Sequence, residues 1–200
     1  MAQISLYFRT QIETKVSLFP EQITANMDDH ILANLKTQIE GKSNDKGIIL
    51  KINRLIEYKH GMIDKANFMG TTVLPVKYEC FICSPVKDLE IVCLLENIVK
   101  GFLIAKNGPV IVAIQFNNID TQQFEISNNN IISLRTKKVI QKGDYLKVTI
   151  ININSNLGEK QIVTMCKLSN LPTRDEIESF KQDQLLVTNN DFDDDDQEFI

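Results

Sequence analysis

Apolar positions in the first half of the chain change period twice, and each change marks an element. Residues 3–18 are rich in β-formers and stop at Pro20, which predicts a strand. Ile23, Met27, Ile31, Leu35 and Ile39 then recur every fourth residue, with Leu32 beside them. Residues 24–40 therefore predict an amphipathic helix with one apolar stripe, and Gly41 stands where a left-handed residue would close it. In Gly47–Tyr58 the period falls to two, with Ile48, Leu50 and Ile52 on one side, so this is a strand with one buried face. A loop holding Gly61 and Gly70 leads to another strand, Thr72–Cys83. The order β-α-β-β over residues 1–85 predicts an α+β domain, one small sheet with a helix packed on it.

Pro85 ends that pattern, and beyond it only strands are predicted: Leu89–Asn97, Gly101–Lys106, Val110–Phe116, Ile131–Ile140, Tyr145–Asn152 and Gln161–Leu168. Lys100-Gly101, Asn107-Gly108-Pro109, Lys142-Gly143-Asp144 and Leu157-Gly158-Glu159 mark the turns. Five or six short strands within residues 86–172 predict an all-β barrel of the five-stranded OB type. After Pro172 a helix-compatible piece, Arg174–Leu186, runs into four consecutive aspartates, Asp193–Asp196. Residues 173–200 are expected to form an acidic, disordered tail.

Charge sharpens this division. The net charge of -4 combines a body of 20 bases and 16 acids with a segment after Pro172 of ten acids and two bases. No window approaches eighteen unbroken apolar residues, so no membrane partner is expected. The opening MAQISLYFRT lacks a basic stretch followed by an apolar run, and no secretory signal is expected. Four cysteines in a chain with its own apolar runs do not make a disulfide framework, and a reducing intracellular compartment is expected. Asparagine and isoleucine are abundant, with Asn128–Asn130 as a local run, a bias suited to an AT-rich genome.

The segment VKYECFICSPVKD, residues 76–88, carries a Cys-x-x-Cys. On a strand, residues three apart point to opposite faces, so Cys80 and Cys83 would not converge on one ion. Cys93 and Cys166 stand apart from them, and His30 and His60 are isolated, so the cysteines read as small buried hydrophobes and no metal is expected. Phosphate-binding and dinucleotide-binding glycine motifs are missing, which argues against an enzyme and implies no cofactor. A basic cluster does stand out: Arg135, Lys137, Lys138, Lys142 and Lys147 against the single acid Asp144. Phe102, Phe116 and Tyr145 lie on or near barrel strands, and Lys106 shares the strand of Phe102. Cations that follow phosphates and rings that stack on bases are what barrels use for single-stranded nucleic acid. The same rings would also suit a core.

With these pieces placed, residues 4–170 resemble the stalk subunit of multisubunit DNA-directed RNA polymerases, the seventh subunit of RNA polymerase II and its archaeal counterpart. The resemblance rests on Val16-Ser-Leu-Phe-Pro20, on Glu40-Gly41-Lys42 followed by Lys46-Gly47-Ile-Ile-Leu50, and on Gly61-Met-Ile. It continues in Val76-Lys-Tyr-Glu-Cys-Phe-Ile-Cys-Ser-Pro85, Lys100-Gly-Phe-Leu-Ile and Asn107-Gly-Pro-Val-Ile-Val112. The loose match and the composition suit a divergent member, of the kind a large DNA virus or a protist encodes.

The resemblance implies an RNP-like tip domain that wedges against the polymerase core, a fourth-subunit-type partner completing a protruding stalk, and a barrel that contacts nascent single-stranded RNA. It implies no catalysis, a role in initiation and elongation, and a place in the nucleus or, for a viral protein, in the virus factory or virion. By position, Gly61, Met62 and Ile63 become candidates for core docking, and Phe102, Lys106, Arg135, Lys137, Lys138, Lys142, Tyr145 and Lys147 for RNA contact. Asn154, where many such barrels carry aspartate, and the glycine-free Val163–Lys167 depart from the family pattern. Two other readings stay open: a free-standing OB-fold adaptor of translation or RNA decay, and an interaction protein whose acidic tail engages basic partners.

Overall fold

The computed structural model describes residues 5–63, 69–99, 101–127 and 130–189. Lys100, Asn128, Asn129 and the acidic run 191–200 lie outside the described residues. The N-terminal part consists of β1 (Tyr7–Leu18), α1 (Met27–Ile39), β2 (Ser43–Asn44), β3 (Gly47–Tyr58), β4 (Met62–Ile63) and β5 (Thr72–Cys83). Its sheet runs β1-β5-β3-β2, with β4 pairing the start of β5, and every pairing is antiparallel. The short strands β2 and β4 add to the order expected from periodicity.

The helix starts later than its apolar stripe suggests. Pro20–Gln22 forms a separate 3-10 turn, held by the Phe19 amide donating to Gln22 Oε1 at 3.1 Å. Asn34 of α1 ties that turn down, donating to Gln22 Oε1 at 2.9 Å and to the Ser17 carbonyl at 3.0 Å. Ile23 consequently falls outside the helix and is exposed, while Ile31 and Leu35 are fully buried against the sheet. Burying each such side chain contributes about 1.5–3 kcal/mol.

Central strand β5 contains a proline, a residue that normally breaks a ladder. Pro75 sits past the last β3 pair, Tyr58 with Val76, and before the first β4 pair, Met62 with Val73. It occupies a gap in the ladder, and its carbonyl still accepts from the Lys59 amide at 2.9 Å. Gly47 opens β3 at φ 138, against the Cys83 carbonyl, where any side chain would collide with backbone.

Two hydrophobic cores result. Val16, Leu18, Ile31, Leu35, Ile52, Tyr78 and Cys80 belong to the sheet-and-helix core. Leu6, Tyr7 and Cys83, from the joined ends of β1 and β5, belong to the second core with the barrel strands. Those strands are β6 (Glu90–Val99), β7 (Phe102–Asn107), β8 (Val110–Ile119), β11 (Tyr145–Asn154) and β12 (Ile162–Asn170). They close in the order β11-β12-β8-β7-β6, all antiparallel except the parallel pair β8 and β12. A closed five-stranded barrel of this kind is OB-like.

Two stretches differ from expectation. Ile131–Ile140 is not one strand: a hairpin, β9 (Phe124–Ser127) and β10 (Asn130–Ser133), precedes a turn, and Val139 returns to pair with Ile132. Lys137 makes that turn at φ 52, with its amide donating to the Ser133 carbonyl at 2.7 Å. Phe124, Ile131 and Ile140 are all buried and contribute to the barrel core. Secondly, the helix-compatible piece Arg174–Leu186, part of a segment expected to be disordered, forms helix α2 (Arg174–Asn189). Thr173 and Glu176 cap it reciprocally: the Thr173 amide donates to Glu176 Oε2 at 2.8 Å and the Glu176 amide to Thr173 Oγ1 at 3.4 Å. Phe180 packs edge-on against Tyr145, which fastens the helix to the barrel wall.

Candidate nucleic-acid interface and docking surface

The outer wall of β7, β8 and β12 presents one continuous face. Strand alternation sends Leu103 and Ala105 inward and Phe102, Ile104 and Lys106 outward. Register places Phe102 beside Gln115, Ile104 beside Ala113 and Lys106 beside Ile111. On the far side of β8, Met165 lies beside Ala113 and Val163 beside Ile111. The small Ala113 is thus flanked by larger apolar side chains on both neighbouring strands. Phe102 is 41% exposed and Val163 40%, while Lys106, Lys160 and Lys167 supply positive charge at the margins. Among the described residues, no strand position of β7, β8 or β12 is acidic, with Glu159 exposed next to Lys160, and strands two and three of an OB barrel are where oligonucleotides bind.

The other RNA candidates divide between two places. Arg135, Lys137, Lys138 and Lys142 lie in the loop between β10 and β11, all exposed. Lys138 is ion-paired with Asp144 at 2.6 Å. This loop and the turn before Phe102 sit at the same end of the barrel, where β6 and β8 finish. Tyr145 and Lys147, by contrast, lie beneath α2. The Lys147 ammonium bridges Glu90 at 3.0 Å and Glu176 at 2.9 Å, and Tyr145 meets the Phe180 ring and the Lys181 ammonium. The two carboxylates push the Lys147 pKa up, and Lys147 holds Glu176 below the usual carboxylate range.

Further along, α2 meets both the sheet and the barrel at a polar junction that periodicity does not reveal. The Tyr7 hydroxyl donates to Asn107 Oδ1 at 2.8 Å, and Asn107 Nδ2 donates to the Val92 carbonyl at 2.7 Å. Gln184 Nε2 donates to the same Asn107 oxygen at 3.0 Å and to the Tyr7 hydroxyl at 3.3 Å. Ser5 donates to Asp183 at 3.2 Å, and burial raises the Asp183 pKa. Only the asparagine before the β7–β8 turn carried a sequence signal, as turn chemistry.

At the opposite end of the sheet, Met62 and Ile63 on β4 are 74% and 59% exposed, and Met69 is 76% exposed. Phe19 and Ile23 are exposed as well. Beside them Leu18, Ile23, Met27, Tyr58, Gly61 and Leu74 line an open depression of about 480 Å³. Gly61 packs so closely on the Thr72 side chain that a methyl group there would strike it. An apolar set of this density on an exposed strand end is what a protein-binding surface offers.

The cysteines divide between the two cores, Cys80 in the first and Cys83, Cys93 and Cys166 in the second. Burial pushes the Cys80 and Cys166 thiols up to about 11 and Cys83 to about 12, so all three are protonated at neutral pH. No cluster of three or more metal-ligating side chains occurs among the described residues.

Sheet and barrel together define a β-rich protein with a closed OB-like barrel. No family model matches the sequence. Over all of both chains it is 58% identical to the candidate DNA-directed RNA polymerase subunit L376 of Acanthamoeba polyphaga mimivirus. It is 22% identical to the DNA-directed RNA polymerase II subunit RPB7 of Glycine max, over 77% of this chain and 88% of that one. Identity with the DNA-directed RNA polymerase II subunit 7 of Arabidopsis thaliana is 28%, over 52% of this chain and 59% of that one. The chain belongs to the family of DNA-directed RNA polymerase subunits represented by the mimivirus protein, with a weaker similarity to RPB7, and is a non-catalytic subunit.

Proposed function

We propose that the chain is the stalk subunit of a DNA-directed RNA polymerase. The N-terminal sheet acts as a tip domain that docks on the core enzyme through the exposed end around Gly61, Met62 and Ile63. The barrel meets nascent single-stranded RNA through Phe102 and Lys106, and the basic loop of Arg135, Lys137, Lys138 and Lys142 extends the path at the same end. Tyr145 and Lys147 hold α2 in place. A fourth-subunit-type partner completes the stalk, which serves initiation and elongation in the nucleus or in a virus factory and virion. The observation that carries this reading is full-length identity of 58% to a polymerase subunit candidate in a chain with a closed OB-like barrel.

Co-purification tests it. A tagged chain expressed in its natural setting should recover the largest polymerase subunits in stoichiometric amounts. Recovery without them would leave the RNA-adaptor reading in its place.

A further inference from the structure

Helix α2 starts near the basic loop and ends at the other end of the barrel. Ile177, in its first turns, lines the same depression as Lys138, Ile140 and Asp144. Gln184, near its last turn, bonds to Asn107 just before the β7–β8 turn. Sixteen helical residues span roughly 24 Å, so α2 carries the chain away from the basic loop and delivers it beside the lower margin of the β7–β8 face. Residues 190–200, NDFDDDDQEFI, follow from that point and contain six carboxylates, no base and two phenylalanines. Fully extended, eleven residues reach roughly 36 Å, more than enough to cross a face three strands wide.

The face beside that exit is complementary. It holds Phe102 and Val163 exposed, Lys106, Lys160 and Lys167 at its margins and, among the described residues, no acid on its three strands. None of the three lysines is ion-paired among the described residues. A segment of closely spaced carboxylates with a ring near each end has the chemistry of a short single strand: negative charge for the lysines, flat apolar groups for the aromatic platform. We propose that residues 191–200 occupy the β7–β8–β12 face and compete with RNA for it, so that the chain carries its own nucleic-acid mimic. This rests on the RNA-binding reading above and adds its regulation: RNA gains the face by displacing the tail, and a partner that draws the tail away opens it.

Two measurements on the full chain separate this proposal from the reading beneath it. In the first, a tail-neutral variant, with Asp191, Asp193, Asp194, Asp195 and Asp196 changed to Asn and Glu198→Gln, is compared with the parent for binding a fluorescent oligo(U). The variant should bind about tenfold more tightly at low salt, and the gap should close as ionic strength rises. Equal affinities at low salt would overturn the proposal. In the second, without RNA, a zero-length carbodiimide cross-linker joins carboxylates to adjacent lysines. Tail links to Lys106, Lys160 or Lys167 are expected, and their absence, or links confined to the loop lysines, would overturn it. Should neither form bind RNA, the RNA reading fails, while the cross-links still decide where the tail sits.

Discussion

The Lys147 ammonium lies 2.9 Å from the Glu176 carboxylate, and this pair ties α2 to the barrel wall. Both side chains are largely screened from solvent, with relative exposures of 25% and 21%. Lys147→Ala should therefore cost about 1 kcal/mol, seen as a lower melting temperature and easier proteolysis within Arg174–Asn189. RNA affinity should stay at the parent level. A loss equal to that of a β7 lysine would make Lys147 a phosphate contact instead.

Two side chains of α2, Glu176 and Asp183, respond to pH in opposite directions. Glu176 titrates below its unfolded value of about 4.3, so its contribution is present above that pH and lost as pH falls through its folded value. Asp183 is raised by burial, so its contribution is present below about 3.9 and lost as pH rises through its folded value. Melting temperatures between pH 3 and 7 should show the acid-side decline flattened in Glu176→Gln. Asp183→Asn should gain stability at neutral pH and lose that advantage on acidification. A parallel shift of both variants at every pH would refute this assignment.

Asn107 is 5% exposed and serves three partners, Tyr7, Gln184 and the Val92 carbonyl. Asn107→Ala would strand the buried Val92 carbonyl and remove the acceptor shared by Tyr7 and Gln184, at a cost of about 2–4 kcal/mol. For a chain of this size each kilocalorie lowers the melting temperature by about 2–4 °C, so calorimetry should see the change clearly. Tyr7→Phe, which removes only the hydroxyl, should cost less.

Phe102→Ala should weaken binding of short single-stranded RNA by about 1–3 kcal/mol, the value of one stacked base. Lys106→Glu should weaken it too and lower the salt slope, by about 0.7 for each lost phosphate contact. Lys137→Glu with Lys138→Glu tests the loop in the same assay. If only the loop variant loses affinity, RNA runs across the barrel end and leaves the β7–β8 wall unused.

Met62 and Ile63 pack little within the chain, so Met62→Asp with Ile63→Asp should leave the melting temperature unchanged. Recovery of the large polymerase subunits in co-purification should fall at least tenfold, as expected where central apolar anchors are lost. Undiminished recovery would place the docking surface elsewhere.

How far such features can be read in advance depends on whether a local residue announces them. Gly47–Tyr58 and Thr72–Cys83 have the bounds their alternation suggests, because Gly47 and Gly70 punctuate them. The bend inside Ile131–Ile140 has no such marker: a lysine takes the left-handed position, and apolar spacing on both sides imitates one strand. Arg174–Leu186 is helix-compatible as a sequence, and the reciprocal cap of Thr173 and Glu176 starts α2 within a segment whose charge alone suggests disorder. Tyr145 and Lys147 lie under α2, and nothing in the order of residues says which wall a later helix will cover. Ala113 and Met165 become informative only once register sets them side by side.

Strand β5 supplies Tyr78 and Cys80 to one core and Cys83 to the other, and β1 divides in the same way between Val16 and Tyr7. Two adjacent strands therefore run through both packed bodies, where a flexible connector would have let each move alone. Twelve residues of strand make a beam of roughly 40 Å, braced at its barrel end by α2. Load applied at the Met62 end would therefore reach the barrel through continuous strand and not through a linker.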